Sequence, residues 1–149
     1  MLCKSLAGND VEMLIATNFN SHPEAIASRK AIILSSRVHP GETNASYLMD
    51  GVIDFLMSDD EKAEYLRNTF VFKIIPMLNP DGVIVGNYRC SLAGVDLNRQ
   101  WVGSSSKLYP ENYHTKLMMR KTLESRDLFF YCDFHGHSTH RNLFMYGNN

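Results

Sequence analysis

An α/β fold, built on a mixed, mainly parallel sheet flanked by helices, is what this sequence predicts, and three observations predict it. Apolar runs of strand length recur at residues 31–34, 69–78 and 128–134, the first of them continuous, as a strand covered on both faces requires. Stretches of helical period lie between them, at 44–57 and 111–126, and supply the crossovers that parallel strands need. Candidate functional groups fall just beyond the strand ends, where open α/β sheets collect them.

Each element has its own reason. Residues 11–17 are apolar at 11, 13, 14, 15 and 16, and Gly8-Asn9-Asp10 offers a turn that pairs them with residues 2–6. The short run 31–34 reads as a central strand. Apolar residues at 45, 48, 49, 52, 53, 56 and 57 then mark one face of a helix over 44–57. Residues 69–78, rich in Val, Ile and Phe, form the strongest strand. It ends at Asn79-Pro80-Asp81-Gly82, where Pro fixes φ, Asp caps its own turn and Gly permits positive φ. Residues 111–126 read as an amphipathic helix, 128–134 as a buried strand and 143–146 as a last short strand. No internal repeat, low-complexity tract or linker divides the chain, so a single unit is expected.

Composition narrows the function. The 149 residues are 44% apolar, enough for one compact core. Sixteen acidic residues face fifteen basic ones, which speaks against a nucleic-acid or membrane-surface binder, since either needs an excess of Lys and Arg. No apolar run approaches the roughly 18 residues of a membrane span, and no secretory leader pattern opens the chain. Cys3, Cys90 and Cys132 are odd in number and lack paired spacing. They read as reduced thiols of a cytoplasmic protein, and packing outranks a zinc role for Cys90 or Cys132.

The chemistry gathers around His39-Pro40-Gly41-Glu42. A histidine and a carboxylate three residues apart reach one cation from a single loop, and a third ligand from elsewhere leaves a position open for water, as hydrolytic zinc sites do. The spacing alone is weak; its setting strengthens it. His39 and Glu42 follow the strand at 31–34, and His135 closes the strand at 128–134. Arg89, Asp96, Asn98 and Arg99 lie in the connection after the strand at 69–78. His137 competes with His135, because residues two apart in a strand share a face.

Five segments carry a family resemblance: 37–44 around His39-Pro40-Gly41-Glu42, 76–83 around Asn79-Pro80-Asp81-Gly82, 87–92 around Arg89, Asp96-Leu97-Asn98-Arg99-Gln100-Trp101, and Cys132-Asp133-Phe134-His135-Gly136-His137-Ser138. With Ser5-Leu6-Ala7-Gly8-Asn9 near the start, they resemble the zinc metallocarboxypeptidases of the carboxypeptidase A (M14) type. The look is that of the cytosolic carboxypeptidase branch, which trims glutamates from C-terminal tails such as those of tubulin. The resemblance implies one zinc ion held by His39, Glu42 and His135. It implies that Asp96 accepts a hydrogen bond from a zinc-bound histidine, with His137 in a supporting position on the pocket wall. Asn98 and Arg99 would grip the free C-terminal carboxylate of a peptide, and Arg89 would stabilise the oxyanion of the transition state. An Arg fork suits the first task, and a cation where negative charge develops suits the second.

The same resemblance implies what to expect beyond Asn149. The family's general-base glutamate, substrate-gating tyrosine and specificity pocket lie further downstream, and Glu12, Glu24, Glu61, Glu64, Glu111 and Glu124 have no motif support for the base. Residues 1–149 are thus expected to be the N-terminal half of a catalytic domain, with no second domain, a sheet incomplete at its C-terminal side and uncertain activity alone. A zinc amidohydrolase of small N-acyl amino acids and a non-cleaving binder of C-terminal tails are the competing expectations. Tyr47, Trp101 and the Met118-Met119 pair carry no expectation beyond packing, and His22, His114 and His140 read as ordinary histidines.

Overall fold

A computed structural model describes residues 1–147. Four strands form the main sheet: β3 (Leu14–Ala16), β4 (Lys30–Ser36), β5 (Phe70–Ile75) and β6 (Leu128–Phe134). Their order is β3-β5-β4-β6, with β4 parallel to both neighbours and β3 antiparallel to β5. A separate hairpin pairs β1 (Cys3–Lys4) with β2 (Asp10–Val11). Helices α1 (Pro23–Ser28), α2 (Thr43–Met57), α3 (Glu61–Thr69), α4 (Pro80–Val85) and α5 (Pro110–Ser125) complete the fold. Among the described residues, no helix is long and apolar enough to cross a membrane.

Side-chain alternation divides the core into two layers. Ile32 and Leu34 of β4, with Phe72 and Ile74 of β5, pack against Met49 and Leu56 of α2. Ile33 and Ile75 face the other way, toward Met118 of α5 and toward Cys3 and Val11 of the hairpin. Both faces of β4 are therefore covered, and its run from Ala31 to Ser36 is buried throughout. Such burial explains why the central strands carry apolar runs rather than an alternating pattern.

The structure departs from the sequence reading in five places. The strand at 128–134, read as buried, stands at the end of the β3-β5-β4-β6 order with Phe129 and Phe130 exposed. The run at 11–17 is split: Val11 closes the hairpin, while β3 leaves it to pair with β5. The two halves serve opposite layers, Val11 one and Ala16 the other. No strand forms at 143–146, where Leu143 and Met145 are exposed and Phe144 packs against His137 and His140. Two helices lacked an apolar stripe to reveal them: α1 buries no residue and α3 only Ala63. Finally, Asn79-Pro80-Asp81-Gly82 opens a helix instead of a plain turn. Pro80 takes its first position, Asn79 Oδ1 accepts the Gly82 N–H at 3.0 Å, and Gly86 at φ 84° ends it.

Asp81 is thereby freed from capping and reaches across the molecule. Its carboxylate accepts from the Ser5 hydroxyl, from the Ala7 N–H at 2.8 Å and from Asn9 Nδ2 at 2.8 Å. Asp81 shares this region with Glu111, which is 2% exposed. Burial pushes the Glu111 carboxyl up to about 7, and the neighbouring Asp81 charge adds to the shift. A carboxyl raised in the folded state favours folding fully below its unfolded value and loses that contribution as pH rises through about 7. Glu111→Gln is therefore expected to stabilise the protein at pH 8 by about 1–3 kcal/mol and by much less at pH 5. Thermal unfolding of both proteins at the two pH values checks this; an equal effect at both would contradict it.

Candidate metal centre

The loop after β4 is built to hold its histidine still. Leu78 N–H and Asn79 N–H donate to the carbonyls of Ser36 and Arg37, and Asn79 Nδ2 donates to Val38 O at 3.1 Å. Val38 is fully buried beneath. Arg37 adopts a left-handed conformation, φ 56°, which costs a non-glycine residue about 1–3 kcal/mol. Its guanidinium offsets that cost by donating to Pro40 O at 3.0 Å and Ser46 Oγ at 2.6 Å. Gly41 donates its N–H to Tyr88 O at 2.7 Å, and a Cβ there would lie 2.8 Å from that same oxygen. No other residue fits this approach without moving the loop.

His39, Glu42 and His135, the three predicted ligands, are brought together, their donor atoms within 4.8 Å of one another. His39 arrives from the loop after β4, Glu42 immediately precedes α2, and His135 follows β6. Glu42 stands between the imidazoles, with Oε1 2.8 Å from His39 Nδ1 and Oε2 3.0 Å from His135 Nδ1. The Gly136 N–H also donates to Oε2, at 2.8 Å. Each ring turns its other nitrogen toward a second carboxylate: His39 Nε2 lies 3.0 Å from Asp96 Oδ1, and His135 Nε2 lies 2.8 Å from Asp133 Oδ2.

These contacts set the charge of the site. Burial would raise the Glu42 carboxyl, but hydrogen bonds from His135, His39 and Gly136 outweigh it and hold the group far below the usual carboxylate range. Burial likewise opposes ionisation of Asp96 and is overcome by His39, the Asn98 N–H and Arg89, so its carboxyl is lowered. Asp133 and Glu42 together push the metal-free His135 imidazole up to about 9 against the effect of burial. The pocket thus favours positive charge. A nitrogen–oxygen–nitrogen donor set with the far side of both rings braced by carboxylates fits zinc.

Asp96 makes two kinds of contact. Besides facing His39, it accepts the Asn98 N–H at 2.8 Å and so caps the short 3-10 turn Leu97–Arg99. Arg89 forks onto its other oxygen through Nε at 2.9 Å and Nη2 at 2.7 Å. Asn98 and Arg99 sit on that capped turn, Arg99 exposed. His137 is not brought to the cluster: it is exposed, and its Nδ1 accepts the Thr139 and His140 N–H groups of its own turn.

Three residues escaped the sequence reading. Arg37 gave no signal, since nothing in composition marks a left-handed arginine. Trp101 lies three residues after Asn98, one 3-10 turn away, and donates its indole N–H to Asn98 Oδ1 at 2.8 Å. Asp133 stands on β6 two residues before His135, the alternate-position spacing that brings two side chains to one side of an extended chain.

Comparison with known proteins accords with this site. The model of the zinc carboxypeptidase family (Peptidase_M14) matches residues 1–149. Mouse cytosolic carboxypeptidase 2 is 55% identical over 146 residues, 98% of this chain and 17% of that protein. Bovine cytosolic carboxypeptidase 3 is 50% identical over 147 residues, 99% of this chain and 15% of that protein. A putative carboxypeptidase A from Shewanella denitrificans superposes with a TM-score of 0.77 at 32% identity, covering 91% of this chain and 34% of that one. The chain therefore spans a small part of its curated relatives' length and about a third of that solved structure. With the family matched from end to end and the fold shared, the chain belongs to the zinc carboxypeptidases.

Proposed function

We propose that residues 1–149 are the N-terminal half of a metallocarboxypeptidase catalytic domain, holding one zinc ion through His39, Glu42 and His135. The substrates are C-terminal tails, with glutamate the residue removed and tubulin-like tails in the cytoplasm the setting. The observation that carries this reading is the position of Asn98 and Arg99. They follow directly from Asp96, the same carboxylate that faces His39.

Zinc, when bound, supplies a Lewis acid for the scissile carbonyl and for an attacking water. The chain's own residues do the rest. Trp101 occupies Asn98 Oδ1, which leaves the Asn98 amide nitrogen to donate. An exposed Arg99 adds a forked cation, and the pair binds a terminal carboxylate that an internal peptide bond does not possess. Arg89, anchored on Asp96, keeps positive charge where the oxyanion develops. Glu42 is committed to the cation, so the proton shuttle is assigned to a carboxylate of the longer protein.

The test uses the full-length protein with zinc and peptides ending in free or amidated glutamate. Release of glutamate from the free-ended peptide alone is expected, with N-acyl amino acids left intact. Arg99→Ala should raise KM for the tail by about 10–100-fold, the value of a charge-assisted carboxylate contact. Equal cleavage of amidated peptides, or an unchanged KM, would refute the reading.

A further inference from the structure

We infer that Asp133, seated by Ser35 and Tyr131, is the positioning residue for His135, the counterpart of Asp96 behind His39. The inference rests on His135 being a metal ligand and adds a residue to which the motifs gave no role.

Strand register puts the parts in place. In the parallel pairing of β4 with β6, Ser35 stands opposite Asp133 and Ile33 opposite Tyr131. Tyr131 and Asp133 alternate onto one sheet face, with His135 just past the strand's end, while Cys132 and Phe134 pack into the opposite layer. On that face Ser35, fully buried, donates to Asp133 Oδ1 at 2.6 Å, and its hydroxyl lies 3.0 Å from Tyr131 Oη. Tyr131 is fixed in turn against the edge of Trp101. One oxygen of the carboxylate is thus pinned from the side of the sheet.

The other oxygen has a single use. Asp133 Oδ2 is buried, and no hydrogen bond of good alignment reaches it among the described residues. His135 Nε2 stands 2.8 Å away, at ion-pair distance but off the axis of a full hydrogen bond. A buried carboxylate with one neutral donor is costly unless a second, positive or strongly polarised group faces it. An imidazole whose Nδ1 is given to a cation carries its proton on Nε2 and is such a group. Asp133 then selects that tautomer, sets the ring's angle and raises the basicity of Nδ1. Because Asp133 lies on β6 and His135 directly follows that strand's last residue, the brace is set by the strand's end.

The experiment measures zinc dissociation constants of the full chain by competition with a chromogenic chelator, with the ring N–H of His135 followed by NMR. Asp133→Asn is expected to weaken zinc by about 10–100-fold and to shift the His135 Nε2–H resonance, with the far-UV spectrum unchanged. Zinc affinity within about twofold of the parent, with that resonance unmoved, overturns the inference. If Asp133→Asn does not fold, Ser35→Ala serves instead: weaker zinc at an unchanged metal-free melting temperature supports it, and unchanged zinc overturns it. His135→Ala separates the two readings. Tight zinc in that variant removes the metal role of His135 itself, whereas loss there with tight zinc in Asp133→Asn removes only the positioning role.

Discussion

Glu42→Gln is expected to abolish stoichiometric zinc binding. The loss should exceed the roughly 10–100-fold that attends replacement of a residue behind a ligand, because Glu42 is both a donor and the group that holds the other two donors in place. Its two oxygens meet His39 Nδ1 and His135 Nδ1, and the Gly136 N–H locks the second oxygen. A neutral amide cannot accept on both sides. On the Oε2 side its NH2 would meet the Gly136 N–H, donor against donor; on the Oε1 side it would donate to His39 Nδ1 and occupy the lone pair a cation needs. Chelator competition and elemental analysis read the result directly, and stoichiometric zinc in a folded Glu42→Gln protein would remove Glu42 from the site.

Asp81→Ala is the change expected to cost the most stability, about 3–5 kcal/mol. The carboxylate, 2% exposed, gathers the Ser5 hydroxyl, the Ala7 N–H and Asn9 Nδ2. Removing it strands three donors and unfastens the loop that joins β1 to β2, strands whose Cys3 and Val11 belong to the core. Relief of Glu111, no longer beside a negative charge, returns only part of the loss. Denaturant unfolding of parent and variant at pH 7 measures the difference; a change below about 1 kcal/mol would show that water replaces the lost partners.

What the sequence disclosed, and what it concealed, follows from how each residue earns its place. The central strands and α2 were legible because burial on both faces, or on one stripe, leaves a compositional imprint. Helix α3 was hidden because its stability comes from caps such as Asp60, which accepts the Lys62 N–H, and not from an apolar stripe. The predicted ligands could be named from motifs, yet Asp133 could not. Its meaning depends on the register of β6 against β4, which places Ser35 opposite it. Asp81 misled for a related reason: its residue type suits a local cap, and its partners lie more than seventy positions away. The hydrogen bonds of His137 stay within its own turn.

The parallel pairing of β4 and β6 has a consequence for the order of events during folding. Glu42 and His135 are 93 residues apart in sequence, and only the docking of the last strand closes that span. Closing so long a loop is among the slower and costlier steps available to a chain of this size. Before it, the growing molecule carries only His39 and Glu42 of the three grouped donors. A cation held by His39, Glu42 and His135 would in this sense reward only chains whose topology is already right.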